Sequence, residues 1–448
     1  MKKNSYLFSK ENKVFTLIHP GKKLSPLLYS SAVNNENLSI GKFTADRIRK
    51  EFANSTQLLF EVTDSCNLKC KYCAFGEFYS DFDERKNHNL TFKKAKNLID
   101  YYVNLRKSAN YMSYDSELSI GFYGGEPLVN FDLITKIIEY IEKVVPRTRY
   151  TATTNGVLLH KYMDYLKEKS FNLLISLDGN EYNDSYRVFH DGTSSFSKVV
   201  ENVRKFQTKY PEYFSSNVRF NTVLHNRNSV SEAFEFIHRE FNKYPFIAEI
   251  NPNRIREDRK EEFSRTFQNA RDSFDEANSC GLFTKEIETL EPKARDISEF
   301  LFKFSGNKFH TYNDLFEGQK PLMPTATCAP FSRKIYLTVN GKITFCERIG
   351  HQYINGHVND DKVELDFEEI ADKVNAYYQN INKQCSRCGR AEICSVCMYT
   401  MPVKDGFPFC DKFTTNKDIF KNYSSEMLSI LESKPHLYKH IWENVISE

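Results

Sequence analysis

The stretch that decides the fold runs Leu58-Leu59-Phe60-Glu61-Val62-Thr63-Asp64-Ser65-Cys66-Asn67-Leu68-Lys69-Cys70-Lys71-Tyr72-Cys73. Its first part is an apolar run typical of a buried strand, and three cysteines in a CX3CX2C spacing follow directly. Three thiolates can hold three irons of a cubic four-iron cluster and leave the fourth iron open to another ligand. Taken alone, the triplet also fits half of a zinc site. The loop is therefore a candidate metal centre at the end of a strand.

Downstream of this loop, strand-like runs alternate with helical apolar stripes. One stripe consists of Ala95, Leu98, Ile99, Tyr102 and Val103, at a spacing typical of a helix. The predicted strands are Leu58–Val62, Leu118–Tyr123, Tyr150–Thr154, Leu173–Leu177, Val218–Leu224 and Phe246–Ile250. Six such units in order predict an α/β fold with a parallel sheet, open or partly closed as a barrel. Reactive groups in such sheets lie at the carboxyl ends of the strands, where the cysteine loop falls.

Polar turns follow several of these strands. Gly124-Gly125-Glu126-Pro127 comes after the second strand, where adjacent glycines allow the backbone to approach a ligand closely and a carboxylate can accept from an ammonium group. Later turns contain Thr153-Thr154-Asn155-Gly156, Ser176-Leu177-Asp178-Gly179 and Asn183-Asp184-Ser185-Tyr186-Arg187. Each turn alone is an ordinary strand-to-helix connection, so their shared order and spacing carry the information.

Cysteines crowd together again near the carboxyl end of the chain. Cys328 and Cys346 flank a predicted hairpin that turns at Asn340-Gly341. They are followed by Cys385, Cys388, Cys394, Cys397 and Cys410. A pair of zinc ribbons fits the two CXXC pairs as well as iron–sulfur ligation does, from spacing alone.

Composition narrows the class of protein. The 448 residues contain 62 Lys and Arg against 59 Asp and Glu, a net charge of +3 that argues against a general nucleic-acid or membrane binder. The first twenty residues contain no apolar segment of signal-peptide length. We therefore expect a cytoplasmic protein, in which 11 cysteines are better metal ligands than disulfide partners.

Taken together, these motifs resemble those of the radical SAM superfamily. The resemblance implies a partial (β/α)6 TIM-like barrel with a C-terminal cysteine-rich iron–sulfur extension. It implies that Cys66, Cys70 and Cys73 ligate a catalytic 4Fe–4S cluster whose open iron binds the amino and carboxylate groups of S-adenosylmethionine (AdoMet). The implied cofactor contacts are Tyr72 beside the adenine, together with Gly124, Gly125, Glu126, Asn155, Ser176 and Arg187. Arg187 lies in a variant of the HDxxR motif in which Asn183 stands in place of the histidine.

The C-terminal cysteines resemble the SPASM extension of radical SAM enzymes, which usually houses two auxiliary 4Fe–4S clusters, so the resemblance implies three clusters in all. It assigns one auxiliary cluster to Cys385, Cys388, Cys394 and Cys410, and three ligands of the other to Cys328, Cys346 and Cys397. The CX2C spacing of Cys394 and Cys397 departs from the usual CX3C. The fourth ligand of the other cluster is open, because Cys280 lies in a helical context typical of an ordinary thiol.

Glu347 directly follows Cys346, where sulfatase-maturing relatives carry a proton-accepting aspartate, and is the candidate catalytic residue. The resemblance implies a peptide maturase that forms a 5′-deoxyadenosyl radical and crosslinks a ribosomally made precursor peptide through thioether or carbon–carbon bonds. The implied partners are that peptide and a flavodoxin- or ferredoxin-type electron donor, with no nucleic acid and no membrane. The alternatives are an anaerobic sulfatase-maturing (formylglycine-forming) enzyme and, in another class, a zinc-ribbon binding protein.

The motifs divide the chain into five expected segments. These are a small N-terminal element that could bind a peptide leader, the partial barrel, a helical connector, the auxiliary-cluster domain and a C-terminal helix, at 1–56, 57–253, 254–324, 325–414 and 415–448.

Overall fold

The computed structural model describes residues 7–8, 14–15, 42–107, 117–284, 287, 290–305, 325–391, 394–415 and 418–437. The chain divides into two compact units. The sheet unit comprises Ala45–Asp275 and Ala329–Ile370, and the cysteine-rich unit comprises Met1–Thr44, Glu276–Cys328 and Ala371–Glu448. None of the helices in the described ranges combines the length and apolar character needed to cross a membrane.

The sheet unit is built on a parallel sheet. Its six parallel strands, which adjoin one another in chain order, are β3 (Gln57–Thr63), β4 (Leu118–Gly124), β5 (Thr148–Thr154), β6 (Asn172–Ser176), β7 (Val218–Leu224) and β8 (Phe246–Glu249). The predicted α/β fold with its six strands is confirmed, with ends that differ by a few residues. Burial explains the apolar run in β3, where six consecutive residues from Leu58 are buried. The candidate site lies at the carboxyl ends of these strands.

One helix, α1 (Ala45–Asn54), precedes the parallel strands, and further helices connect them. The connecting helices are α2 (Phe92–Lys107), α3 (Phe131–Val144), α4 (Leu159–Glu168), α5 (Phe196–Lys209), α6 (Pro211–Asn217) and α7 (Val230–Phe241). Their apolar stripes face inward, as in α3, where Ile134, Ile137, Ile138 and Ile141 are fully buried. Ser229 is the N-cap of α7: its hydroxyl accepts from the Glu232 amide at 3.2 Å and donates to the Glu232 carboxylate at 3.0 Å.

A meander extends the same sheet beyond β3. Its strands are β9 (Ile335–Leu337), β10 (Lys342–Thr344), β11 (Gly356–Val358) and β12 (Val363–Glu364). β9 pairs with β3 in parallel, and β10 to β12 continue antiparallel. The predicted hairpin at Asn340-Gly341 is thus confirmed, and Gly341 adopts a positive φ of 83° there. The segment expected at 325–414 therefore falls across both compact units.

The cysteine-rich unit contains the short pairs β1 (Leu7–Phe8) with β2 (Val14–Phe15) and β13 (Val403–Lys404) with β14 (Phe407–Pro408). The further helices of the described ranges are α8 (Lys260–Thr266), α9 (Ala270–Ser279), α10 (Pro292–Ser305), α11 (Phe367–Cys385) and α12 (Asp418–Ser433). An apolar core joins α10 to α12 through Ile297, Phe300, Met427 and Leu428. Most of the expected N-terminal element at 1–56 and the end of the expected terminal helix, at 438–448, lie outside the described residues.

A buried carboxyl in β3 gives a testable dependence of stability on pH. Glu61 accepts a hydrogen bond from the Val339 amide at 2.9 Å and lies 3.6 Å from the Arg85 guanidinium. Burial outweighs both contacts and raises the pKa of Glu61 to about 7, from 4.5. Between these two values the folded state holds a proton that the unfolded state has released, so stability falls as pH rises through that window.

We expect the free energy of unfolding in urea to fall by about 2 to 3 kcal/mol more in the wild type than in Glu61→Gln between about pH 5 and 8, since one pKa unit corresponds to about 1.4 kcal/mol. The matched control is Glu364→Gln, which changes an exposed carboxyl in β12. Equal pH dependence in the wild type and in Glu61→Gln would contradict the assignment.

Candidate functional site

The cysteine loop begins where β3 ends and is held by the segment after β6. The Lys69 amide donates to the Val188 carbonyl at 2.7 Å, and the Lys71 amide donates to the Tyr186 carbonyl at 3.1 Å. His190 Nε2 lies 2.8 Å from the Cys66 carbonyl oxygen. The loop is thus anchored through its backbone, which leaves its side chains available for other contacts.

The three cysteines of this loop are half-buried and affect one another electrostatically. Burial, with smaller contributions from the neighbouring thiols, raises the pKa of Cys66 to about 11 and that of Cys70 to about 12. Thiolates at these positions therefore require a compensating positive charge. A metal centre would supply that charge.

The two glycines after β4 let that strand end lie against the start of the cysteine loop. The Gly125 amide donates to the Thr63 carbonyl and the Glu126 amide to the Ser65 carbonyl, each at 2.9 Å. A Cβ at Gly124 would stand 2.2 Å from the Thr63 oxygen, and one at Gly125 would stand 2.0 Å from the Ser65 oxygen. No side chain fits at either position. The close approach that the structure shows for these glycines is to the cysteine loop, and their predicted approach to a ligand stays a prediction.

Glu126 joins the ends of β4 and β5. Its buried carboxylate accepts hydrogen bonds from the Leu128 amide at 3.1 Å, the Thr154 hydroxyl at 2.7 Å and the Asn155 amide at 2.7 Å. Burial outweighs these hydrogen bonds and raises the pKa of Glu126 to about 7. Asn155 in turn donates from Nδ2 to Asn67 Oδ1 at 2.7 Å and lies 3.8 Å from Cys66 Sγ. The glycine turn, the β5 turn and the cysteine loop therefore meet.

Tyr72 and Arg187 also meet, at a carboxylate that the sequence did not single out. Asp178 accepts two hydrogen bonds from the Arg187 guanidinium, at 3.1 and 3.2 Å, and one from the Tyr72 hydroxyl. Burial opposes ionisation of Asp178, but Arg187 overcomes that penalty and holds the pKa of the carboxyl below its usual range. His225, directly after β7, stacks on Tyr72. The position of both residues at strand ends is the signal that could have found them.

Ser176 is the last residue of β6 and is half-buried, beside Asn221 of β7 in the sheet register. It therefore lies at the carboxyl edge of the parallel strands. The predicted cofactor contacts of Tyr72, Ser176 and Arg187 stay predictions.

The candidate base Glu347 forms an ion pair. Lys334 Nζ lies 3.2 and 3.0 Å from its two carboxylate oxygens, and the Cys346 thiol donates to it at 3.5 Å. Burial opposes ionisation, but the lysine overcomes it and lowers the pKa of Glu347. The side chain is therefore a carboxylate, the form that can accept a proton.

Four C-terminal cysteines lie within electrostatic reach of one another. Burial, together with smaller contributions from Cys394, Cys410 and Cys388, raises the pKa of Cys385 to about 12. Gln384 fixes Cys410 through two hydrogen bonds, at 3.1 Å to its amide and 3.3 Å to its carbonyl. These are the four cysteines that the sequence analysis grouped for one auxiliary cluster.

The other predicted auxiliary group is divided. Cys328 and Cys397 belong to the cysteine-rich unit, and Cys346 belongs to the sheet unit. Burial raises the pKa of Cys397, and the nearby Cys328 thiol acts in the same direction. The Thr327 hydroxyl donates to the Cys397 sulfur at 3.6 Å. Cys280 is exposed after α9. The ligand set of this group stays a prediction.

The donor chemistry of the cysteine loop fits a cluster. In the described part of the chain, no three His, Cys, Asp or Glu side chains are arranged to hold a single metal ion. The ligands of a cubane stand farther apart than those of one ion, because each thiolate binds a different iron. Three half-buried thiols on one loop, with no acidic ligand among them, are the donor set that such a cluster takes.

The fold and the site define a class: a parallel α/β protein with a three-cysteine loop at the carboxyl edge of its sheet. Residues 60–238 match the model of the Radical SAM superfamily, so the chain carries a radical SAM domain.

Three curated relatives align with parts of the chain. An uncharacterized protein of Methanocaldococcus jannaschii is 34% identical over 176 residues, 38% of this chain and 54% of its own length. The radical SAM cyclopropyl synthase TigE of Paramaledivibacter caminithermalis is 30% identical over 171 residues, 36% of this chain and 34% of its own length. A serine-type anaerobic sulfatase-maturating enzyme of Bacteroides thetaiotaomicron is 27% identical over 143 residues, 31% of this chain and 33% of its own length. The chain thus spans between a third and about half of these relatives.

Solved structures of similar fold cover nearly the whole chain. A tagged form of anSMEcpe with bound AdoMet superposes with a TM-score of 0.54 at 17% identity, over 88% of this chain and 96% of its own. Native anSMEcpe with bound AdoMet and the Kp18Cys peptide superposes with a TM-score of 0.53 at 16% identity. The match covers 86% of this chain and 99% of that protein. At this identity the likeness establishes the fold.

Proposed function

We propose that the protein is a radical SAM maturase that oxidatively modifies a peptide. One observation carries the proposal: the Cys66 to Cys73 loop meets the Gly124 to Glu126 turn and Asn155 at the carboxyl edge of the parallel strands. When bound at the three cysteines, a 4Fe–4S cluster with AdoMet would supply a 5′-deoxyadenosyl radical.

The residues around the loop would position AdoMet. Gly124 and Gly125 leave backbone free of side chains beside the loop, and Asn155 reaches both Asn67 and Cys66. Glu126 shares its hydrogen bonds between the β4 and β5 turns, so it would hold the two turns together while facing the amino group of the cofactor. Tyr72 would lie beside the adenine.

Glu347 would take the proton that the substrate loses during oxidation. Its ion pair with Lys334 keeps it ionised, which a proton acceptor requires. The C-terminal cysteines would hold two auxiliary clusters, and a flavodoxin- or ferredoxin-type protein would donate electrons in the cytoplasm. These assignments rest on donor type and on the sequence motifs.

A peptide substrate is supported by one structural neighbour, because anSMEcpe is known with a bound peptide. The sequence relative TigE is a radical SAM cyclopropyl synthase, which supports chemistry that forms new bonds. Crosslinking of a ribosomally made precursor peptide is our first candidate. Formylglycine formation in a sulfatase is the second candidate and has equal support, because the serine-type anaerobic sulfatase-maturating enzyme is also a relative.

Co-expression with a peptide encoded beside the gene distinguishes the two reactions. We expect the peptide to lose about 2 Da per crosslink, since each crosslink removes two hydrogens, and to show no reaction with a hydrazide probe. A hydrazide-reactive product would support formylglycine formation instead. Glu347→Gln is the informative variant, in which AdoMet cleavage continues and peptide product falls about 100-fold or more, the range expected for loss of a general base. An unmodified peptide in the presence of active AdoMet cleavage would contradict the crosslinking assignment.

A further inference from the structure

A buried group of four side chains, which we call the Asp178 cluster, links the cysteine loop to the ends of two strands. Its members are Tyr72 from the loop, Asp178 after β6, Arg187 from the following turn and His225 after β7. All four are buried, and Asp178 and His225 are fully so. The cluster therefore joins the candidate metal loop to the sheet edge.

Asp178 is the centre of this cluster. Besides the Arg187 guanidinium and the Tyr72 hydroxyl, it accepts the Val223 amide at 3.0 Å. The carboxylate is thus tied to both the cysteine loop and the backbone of β7. Its charge is balanced by one guanidinium that points at it with two nitrogens, the strongest geometry for such a pair. The Tyr72 hydroxyl therefore donates to a carboxylate that is itself held in place.

The ring of Tyr72 is held from two further directions. The His225 imidazole stacks on it, with centroids 5.3 Å apart and planes 24° apart. The Arg187 guanidinium lies 5.5 Å from the ring centroid. The hydroxyl fixes the direction of the ring, and the stacked imidazole fixes its plane.

His225 is itself immobilised. Its amide donates to Asn228 Oδ1 at 2.9 Å, and its Nδ1 accepts from the Arg227 amide at 3.2 Å. Its Nε2 faces the Asp178 carboxylate at 3.6 Å, where the two groups interact electrostatically. The imidazole is therefore held at both ring nitrogens, which fixes the plane that it presents to Tyr72.

We propose that His225 is a positioning residue that holds the plane of Tyr72 for adenine binding. The inference rests on the proposed function, because it takes the adenine of AdoMet as the group that Tyr72 faces. Arg187 also orients Tyr72, but indirectly. Two nitrogens of its guanidinium donate to Asp178, and Asp178 in turn holds the Tyr72 hydroxyl. The cofactor's adenine then meets an aromatic ring whose orientation is set before binding.

The test measures the dissociation constant of AdoMet by equilibrium dialysis with the anaerobically reconstituted full-length protein. We expect His225→Ala to raise it about fivefold to tenfold, the range of a lost aromatic stacking contact. We expect His225→Phe, which keeps a stacking ring, to stay within about twofold of the wild type. The matched control is His238→Ala in α7, because His238 stacks on Tyr244 with centroids 4.6 Å apart but lies on an exposed face.

Iron content and the steady-state constants separate positioning from structural damage. We expect unchanged iron in the His225 variants and a raised KM for AdoMet with kcat nearly unchanged. An unchanged dissociation constant in His225→Ala, or an equal rise in His238→Ala, would overturn the inference. If His225→Ala does not fold, His225→Phe and His225→Gln are compared instead, since only the phenylalanine keeps a ring stacked on Tyr72. Equal dissociation constants of AdoMet for these two variants would overturn the inference. A wild-type protein that binds no AdoMet instead contradicts the proposed function.

Discussion

The triple variant Cys66→Ser, Cys70→Ser, Cys73→Ser is expected to lose one cluster and all AdoMet cleavage. About four of roughly twelve irons per chain should disappear, since each cubane holds four irons and each iron requires its thiolate. The remaining irons should stay, because the C-terminal cysteines other than Cys346 lie in the other compact unit. Iron and sulfide analysis after anaerobic reconstitution measures the loss, and detection of 5′-deoxyadenosine measures the activity.

Cys280→Ser is the matched control for this experiment. Cys280 is exposed and belongs to neither predicted ligand group, so its replacement should leave iron content and AdoMet cleavage unchanged. The account of the loop is wrong if the triple variant retains all of its iron. A loss of iron in the Cys280 variant would instead reveal a ligand that the motifs do not include.

Gly125→Ala is expected to have the second largest effect. Its Cβ would lie 2.0 Å from the Ser65 oxygen and 2.8 Å from the Asp64 oxygen, so the end of β4 must move away from the cysteine loop. Overpacking of this kind costs about 1–3 kcal/mol of stability. A displacement of about 1 Å at a reacting centre lowers rates about 100-fold, which we expect for AdoMet cleavage.

Gly192→Ala is the control for backbone strain. Gly192 has a φ of 87°, but a Cβ there meets nothing within 4 Å. Its replacement should therefore cost stability without a comparable loss of AdoMet cleavage. Similar activity losses in the two variants would show that the Gly125 effect comes from stability and not from the fit of β4 against the loop.

The local features of the site could be predicted from the sequence because each depends on neighbouring residues. The apolar run of β3 and its position directly before Cys66 follow from periodicity. The adjacent glycines after β4 indicated a close backbone approach, which the structure shows to the cysteine loop and which was expected to a ligand. The hairpin at Asn340-Gly341 is likewise a local signal.

The long-range features could not be predicted. Pairing of β9 with β3 joins Leu58 to Ile335, which are farther apart in sequence than the first and last residues of the six parallel strands, and no periodicity marks that edge. The sequence predicted that Arg187 contacts a cofactor. The structure shows that its guanidinium pairs with Asp178, because folding brings that buried carboxylate beside it. His225 lies in no motif; its position directly after β7 marks it only as a strand-end residue, and the stacking geometry shows that it contacts Tyr72.

The central claim is that the cysteine loop serves radical chemistry on AdoMet. The most direct measurement is the formation of 5′-deoxyadenosine by the reconstituted, dithionite-reduced protein supplied with AdoMet under anaerobic conditions. We predict that 5′-deoxyadenosine and methionine form in equal amounts, and that neither forms in the Cys66/Cys70/Cys73 serine variant. A protein that carries its full iron, binds AdoMet and yet releases no 5′-deoxyadenosine would contradict the account.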